Sequence, residues 1–274
     1  INGRALTADI NPYSLIKGQG GRLLELTLAD NARGENRRTV LVNPIASEND
    51  LLYLKWVNRN RDYVTRQTDG KIGYLHIPDM GASGIYEFTK WFYGQLRKQG
   101  MIIDVRGNGG GNVSQMVINR LARSLVFMGY DRGIDNLDTY PNVVFTGPMV
   151  ALLDEDSASD GDIFPAAFQT LDLGPLIGKR SWGGIIGITN LGPLMDGGTV
   201  SVPQFATASA SGDWAIEGVG VSPDIEIDNP PEAVLRGEDA QLDRAIQEVM
   251  QRLQTQPGTL PPRPADPVKT PDAQ

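Results

Sequence analysis

A chain of 274 residues is long enough for one large core and a smaller piece beside it. Its 40% apolar content, with 32 glycines in no collagen-like period, is that of an ordinary globular protein. The absence of cysteine removes disulfides, thiolate nucleophiles and Cys-based zinc sites. With one histidine and no carboxylate cluster at ligand spacing, neither a metal nor a cofactor is expected. The net charge of −8, with no basic block longer than Arg37-Arg38, speaks against nucleic acid. No apolar run approaches the roughly 18–20 residues that cross a bilayer, so no membrane partner is expected either.

The first residues, Ile1-Asn2-Gly3, read like the middle of a domain begun further upstream. Turn residues then surround a short alternating run, Leu23 to Leu28, which predicts a half-buried strand. Leu51 to Arg66 suits a helix with Leu52, Trp56 and Val57 inward and an Arg-rich, solvated end. From Lys71 the pattern changes. Ile72 to Ile77 reads as a strand, and Ile85, Phe88, Phe92 and Leu96 recur at helical spacing, predicting an amphipathic helix over Ile85–Arg97. Met101 to Val105 is a buried strand, followed by the glycine loop Asn108 to Asn112 and a helix through Met116, Val117, Leu121 and Val126. A further buried strand, Met149 to Leu153, leads through Ser157-Ala158-Ser159-Asp160-Gly161-Asp162 into another helix. Short strands such as Thr199–Val202 continue to about Asp228. A terminal helix, Asp239–Leu253, gathers Leu242, Ile246, Val249, Met250 and Leu253 on one face. The Pro-rich tail that follows is expected to be disordered. Strand, loop and helix in alternation predict an α/β domain built from βαβ units.

Two loops join a buried strand to a helix, where α/β folds bind ligands on unpaired backbone N–H groups. The glycines of Asn108-Gly109-Gly110-Gly111-Asn112 would let amides approach a phosphate or an oxyanion closely; a plain tight turn fits them equally well. The loop lacks the Gly-Lys-Ser/Thr of a P-loop. Ser159, at the head of a helix, is either an N-cap accepting from backbone amides or a nucleophile favoured by the helix dipole.

Several blocks in one order carry more information than either loop alone. Gly73-Tyr74-Leu75-His76-Ile77-Pro78-Asp79-Met80-Gly81 is followed by Asp104-Val105-Arg106 and Gly109-Gly110-Gly111-Asn112-Val113-Ser114-Gln115. Ser159-Asp160-Gly161-Asp162-Ile163-Phe164-Pro165, Gly178 to Gly184 and Glu217-Gly218-Val219-Gly220-Val221-Ser222-Pro223-Asp224 complete the series. Together they resemble the tricorn peptidases, relatives of the carboxy-terminal processing peptidases. The resemblance implies a ClpP/crotonase-like spiral core over residues 71–254, preceded by the C-terminal half of a PDZ-like domain over 1–39 and a helical linker over 40–70. The disordered tail would occupy 255–274.

By the same resemblance Ser159 is the nucleophile, and the oxyanion hole is formed by the backbone N–H groups of Gly111 and Asp160. Ser157 is left to capping or packing. Glu217 stands where the family has a glutamate that orients the catalytic dyad through a serine beside the histidine; a surface carboxylate in a turn is the alternative. Asp131 matches an acidic residue that favours a basic P1 side chain from a neighbouring subunit. His76 lies in a strand motif where the family's residue is not catalytic, so the general base is expected from an upstream segment and the chain alone is expected to be nearly inactive. The resemblance further implies peptide or unfolded-protein substrates, a homo-oligomer (a hexamer in the family) and a cytoplasmic location, with a periplasmic or secreted one as the alternative. A crotonase-like acyl-CoA enzyme would share the oxyanion hole without needing Ser159, and a PDZ-containing scaffold would need no chemistry at all.

Overall fold

The computed structural model describes residues 1–131 and 137–267. The chain folds as two compact units that divide between Asn58 and Arg59. The first holds α1 (Pro12–Ile16), β1 (Leu24–Leu28) and β2 (Arg38–Val42), and the start of α2 (Asn49–Gln67). β1 and β2 pair antiparallel from Leu24↔Val42 to Leu28↔Arg38, and only Leu24 of β1 is fully buried. The alternating run Leu23–Leu28 thus becomes a strand as predicted. Leu52, expected to face inward from α2, is instead 57% exposed.

The second unit continues α2 and adds, in order, β3 (Ile72–His76), α3 (Ala82–Gly94), β4 (Gly100–Asp104), α4 (Ser114–Leu121), β5 (Phe127–Tyr130) and β6 (Leu137–Tyr140). It then runs through β7 (Met149–Leu153), α5 (Asp160–Thr170), β8 (Leu176–Gly178), β9 (Gly187–Leu191), β10 (Val200–Phe205), β11 (Ile225–Glu226), α6 (Pro231–Leu235) and α7 (Ala240–Thr255). Its centre is a five-stranded sheet in the order β11-β8-β7-β4-β3, every neighbouring pair parallel. β3, β4, β7 and β8 are buried along their whole length, which is why β4 and β7 read as apolar runs.

The strand order explains where the helices lie. From β3 each crossover moves one strand further in the same direction, and right-handed crossovers then put α3, α4 and α5 on one face. On that face Leu75, Ile77, Ile103, Val105, Ala151 and Leu153 form one core with Phe88 and Phe92 of α3, Val117 of α4 and Phe164 and Phe168 of α5. The opposite face is left to α7, which packs on β3, β4, β7 and β8 with Leu242, Ala245, Ile246 and Val249 buried. Burying each such aliphatic side chain contributes about 1.5–3 kcal/mol relative to exposure.

A buried polar cluster anchors the head of α7. Arg106 donates to Asp104 through Nη2 (2.7 Å), and through Nη1 to Asp239 (2.9 Å) and Gln241 (3.0 Å). Asp239 in turn caps α7 by accepting from the Leu242 amide. Tyr74 donates to the same Asp104 carboxylate at 2.8 Å.

The helix predicted to reach Val126 ends at Leu121, because the Val126 N–H is taken by the Tyr140 carbonyl at the mouth of the β5–β6 hairpin. The Arg-rich end of α2 is not wholly solvated: the Arg61 guanidinium lies 3.2 Å from the Trp91 ring centroid. The tail beyond Gln256 has no regular structure, but Thr146 donates to the Gly258 carbonyl at 3.3 Å. Residues 268–274, the last part of the predicted disordered tail, lie outside the described residues. Among the described residues no helix is long and apolar enough to cross a membrane.

Candidate active site

Three loops leave the carboxyl ends of adjacent strands: Gly107–Val113 after β4, Asp154–Ser159 after β7 and Lys179–Ile186 after β8. In a parallel sheet this edge is where helix N-termini and loop amides converge.

Ser159 heads α5 with φ 57° and ψ −121°, and its side chain makes no capping hydrogen bond. The N-cap reading of this serine is therefore not what the fold uses. A non-glycine backbone in such a region costs about 1–3 kcal/mol and persists only where the surroundings enforce it. The enforcement is on the main chain to either side. The Ser159 N–H donates to the Gly184 carbonyl (3.1 Å), and its own carbonyl accepts from Asp162 and Ile163 in the first turn of α5 (2.9 and 3.1 Å). Just before it, the Ala158 N–H donates to the Asn108 carbonyl at 2.9 Å. Ser157, by contrast, is wholly buried, with Oγ donating to the Val105 carbonyl at 3.0 Å, a packing role as expected.

The glycine loop lies directly against this elbow. A Cβ added to Gly110 would sit 2.6 Å from Ser159 Cβ and 3.0 Å from the Asp160 nitrogen, so only glycine fits there. The orientation of the next peptide follows from its hydrogen bond. The Gly110 carbonyl accepts from Met80 N–H at 2.8 Å, and in a planar trans peptide the N–H points opposite the C=O. The Gly111 N–H is thereby aimed away from Met80. The same logic holds at Ser159, whose carbonyl is committed into the first turn of α5, so the Asp160 N–H points the other way. Among the described residues, neither the Gly111 nor the Asp160 amide donates to a protein acceptor. Their neighbours are taken: Gly110 N–H by Asn108 Oδ1 (2.9 Å) and Asn112 N–H by the Met80 carbonyl (2.7 Å). Unclaimed donors beside an uncommitted hydroxyl are a geometry that can hold an oxyanion.

Several side chains here went unassigned in the sequence. The Asp160 carboxylate is buried and accepts from the Ser114 N–H at 2.9 Å and from Ser114 Oγ, tying the elbow to the N-terminus of α4. Asp162 is completely buried, and Oδ1 accepts from the Gly183 N–H at 2.8 Å. Its Oδ2 has no hydrogen-bond partner among the described residues. Acidic residues in the first turn of a helix were the available signal for both.

Glu217 sits on the far side of the Ser181–Ile186 strip, where Oε2 accepts from the Ile185 and Ile186 amides at 2.7 and 3.0 Å. The other side of that strip is bonded to the elbow, through Gly184 to Ser159 and through Trp182 N–H to the Ser157 carbonyl at 2.9 Å. Glu217 and Ser159 are thus joined through one layer of backbone. The turn carrying Glu217 is itself tense, with Ile216 at φ 73°. Asp131 is exposed just past β5, on the β5–β6 hairpin rather than on any of the three loops.

His76, the only histidine, is buried in β3, and alternation along the strand puts it with Tyr74 on the α7 face rather than with Leu75 and Ile77 on the face covered by α3. Its Nε2 lies 3.0 Å from the Arg106 carbonyl, which can only accept, so Nε2 carries the proton. Burial holds the ring below the ordinary imidazole range, partly offset by the Asp104 carboxylate. An Nε2 spent in this way is not available to take a proton from Ser159.

Comparison with known proteins places this geometry. The sequence pattern of Peptidase family S41 matches residues 71–227. The tricorn protease of Thermoplasma acidophilum is 38% identical over 268 residues, covering 97% of this chain and 24% of the relative. Tricorn protease homolog 1 of Streptomyces coelicolor is 38% identical over 262 residues, 96% of this chain and 24% of its own length. The crystal structure of the tricorn protease superimposes with a TM-score of 0.84 at 37% identity, over 92% of this chain and 24% of that one. This chain therefore spans only a minor part of the length of the relatives it matches. It belongs to peptidase family S41, a family of serine-type hydrolases, among its tricorn-type members.

Proposed function

We propose that this chain carries the nucleophile half of a serine peptidase in which Ser159 attacks a peptide carbonyl and holds the acyl group until water releases it. The observation that carries the reading is the backbone of Ser159, kept at φ 57° with its hydroxyl free of any capping bond, beside the unclaimed amides of Gly111 and Asp160. In the proposed cycle Oγ bonds to the carbonyl carbon while its proton passes to an imidazole. The carbonyl oxygen, now an anion, takes the Gly111 and Asp160 N–H groups; removing one such donor typically costs about 2.7–4 kcal/mol of barrier. Collapse breaks the C–N bond, and the imidazolium protonates the leaving amine. Water, deprotonated by the same imidazole, then releases the acid and returns the proton to Ser159.

Because His76 is turned to the other face of the sheet, the imidazole is assigned to a segment outside this chain, and the chain alone is expected to be nearly inactive. Glu217 orients that imidazole through a neighbouring donor. Asp131 selects a basic P1 side chain, reaching the site of a neighbouring copy in a homo-oligomer, a hexamer by resemblance. The substrates are peptides from unfolded proteins or proteasome-type products, handled in the cytoplasm; the names of the matched tricorn proteases support peptide hydrolysis. Residues 71–254 form a ClpP/crotonase-like core, residues 1–39 the second half of a PDZ-like domain and 40–70 a linker that contains the helix α2.

The test is a fluorophosphonate probe, with the adduct mapped by peptide mass spectrometry, applied to this chain alone and to the full-length protein. Labelling of Ser159 in the full-length protein but not in the isolated chain is the expected result. Labelling of Ser159 in the isolated chain would return the role of base to a group within it. No label in either would leave a peptide-binding scaffold as the better reading.

A further inference from the structure

Asn108 is completely buried, yet each of its polar groups is spent on a different part of the site. Nδ2 donates to the Ile77 carbonyl at the end of β3 (2.9 Å), and Oδ1 accepts from the Gly110 N–H (2.9 Å). Its main-chain carbonyl accepts from the Ala158 N–H at 2.9 Å, immediately before Ser159. Gly161 in the first turn of α5 packs on that same carbonyl so closely that an added Cβ would lie 2.2 Å from it. One residue thus fastens a strand end, the glycine loop and the nucleophile elbow to one another.

The consequence concerns the aim of the two free amides. Gly110 is held from both sides, its N–H by Asn108 Oδ1 and its carbonyl by Met80 N–H, so the peptide planes before and after its Cα are each pinned, the second of them carrying the Gly111 N–H. The Ile77–Asn108 bond fixes the end of β3 three residues before Met80, and so also where that second hold acts. The Asp160 N–H is reached through Ala158 on the other side of the same residue. A primary amide suits this place because it presents a donor and an acceptor at one fixed separation; a carboxylate has no donor, and an aliphatic side chain has neither.

We propose that Asn108 is a positioning residue that sets the separation and aim of the Gly111 and Asp160 N–H groups. The inference rests on the serine-peptidase reading above. It is tested in the full-length protein with a peptidyl p-nitrophenyl ester, whose pre-steady-state burst of p-nitrophenolate gives an acylation rate constant and a reversible affinity separately, alongside the melting temperature. In N108A both side-chain bonds vanish, and the acylation rate should fall about 100-fold, comparable with the loss of one oxyanion donor, while reversible affinity stays within about threefold. N108D keeps the acceptor for Gly110 but sets an oxygen against the Ile77 carbonyl. Its acylation rate should be low at neutral pH and recover relative to wild type as pH falls, because the protonated carboxyl donates to Ile77 again. N108D decides the matter if N108A does not fold. Variants that lower the melting temperature but acylate at the wild-type rate per folded molecule, at every pH, would overturn the role of Asn108 alone. A wild-type protein that is never acylated at Ser159 would overturn the underlying peptidase reading instead.

Discussion

The two sides of the candidate site are built very differently. On the nucleophile side, residues 105–114 and 157–162 interlock: Asn108, Ser114, Ser157, Asp160 and Asp162 are all buried, and the two segments are tied by Ala158 N–H to the Asn108 carbonyl, Ser157 Oγ to the Val105 carbonyl and Ser114 to the Asp160 carboxylate. On the other side, beyond Ile186, the β9–β10 ribbon exposes Ile188 and Phe205 (65% and 66%), and Glu217 stands exposed on a turn. The first side needs nothing further to present a hydroxyl and two amides. The second offers a carboxylate, anchored by Oε2, and no imidazole. A serine peptidase needs both preorganised donors and a base, and this chain concentrates its order on the donors.

The sharpest way to break this comparison is Gly110→Ala. The new methyl would press on Ser159 Cβ and on the Asp160 nitrogen, with no flexible side-chain end to give way. Ser159 labelling in the full-length protein should fall more than about 1,000-fold, the loss expected when the oxyanion geometry collapses, while far-UV circular dichroism stays unchanged. Retained labelling would mean the two loops are less tightly joined than they look.

Ser159→Gly probes the strain itself. Labelling must disappear with the hydroxyl, but glycine is at ease at φ 57°, so the variant should be more stable by about 1 kcal/mol in urea unfolding. A neutral or destabilising outcome would show that the elbow is not under tension. Glu217→Ala tests the open side. It strips the acceptor from the Ile185 and Ile186 amides but leaves the Ser159 elbow bonded to Gly184. Turnover of a fluorogenic peptide by the full-length protein should drop about 10- to 100-fold, less than for Gly110→Ala and no more than the lower end of a general-base contribution, because Glu217 acts on the base only through a neighbouring donor. An equal loss would erase the distinction between the two sides.

The smallest expected effect is on acid stability. Burial depresses the His76 pKa, so below the ordinary imidazole value of 6.5 the unfolded chain binds a proton that the folded chain does not. Stability should therefore fall with decreasing pH from about 6.5, by at most about 1.4 kcal/mol per unit, until the folded ring itself titrates. Asp104, held low by Arg106 against the cost of burial, works in a separate window: its contribution is present above the ordinary carboxylate value of 3.8 and lost as pH falls through the lower folded value. Urea titrations at pH 7.5, 6.5 and 5.5 measure the first slope, and His76→Gln should flatten it.

Much of this was legible beforehand. The continuous apolar runs at Met101 and Met149 gave parallel strands, because a strand buried on both faces has no polar side to interrupt it. The order of motif blocks, through the resemblance it carries, singles out Ser159 and Gly111, which the fold sets on two neighbouring loops. What escaped were short or exposed pieces: β8 is three residues long, and of the β9–β10 ribbon only the start of β10, within Thr199–Val202, is foreseen, because β9 buries too little to leave an alternating pattern. The side-chain duties of Asn108, Asp160 and Asp162 were hidden for another reason. Each is a contact between segments some 20 to 50 residues apart, visible only once the sheet brings the loops together.

The two amides left free in the fold belong to the main chain, which every residue carries. No exchange of side chain, short of proline, can delete either one. Heritable change can act on them only indirectly, through the neighbours that hold their peptide planes: Asn108, Gly110 and the stretch from Ile77 to Met80. A survey of variants that scored only residues able to touch a substrate would pass over the positions where this site is most easily lost.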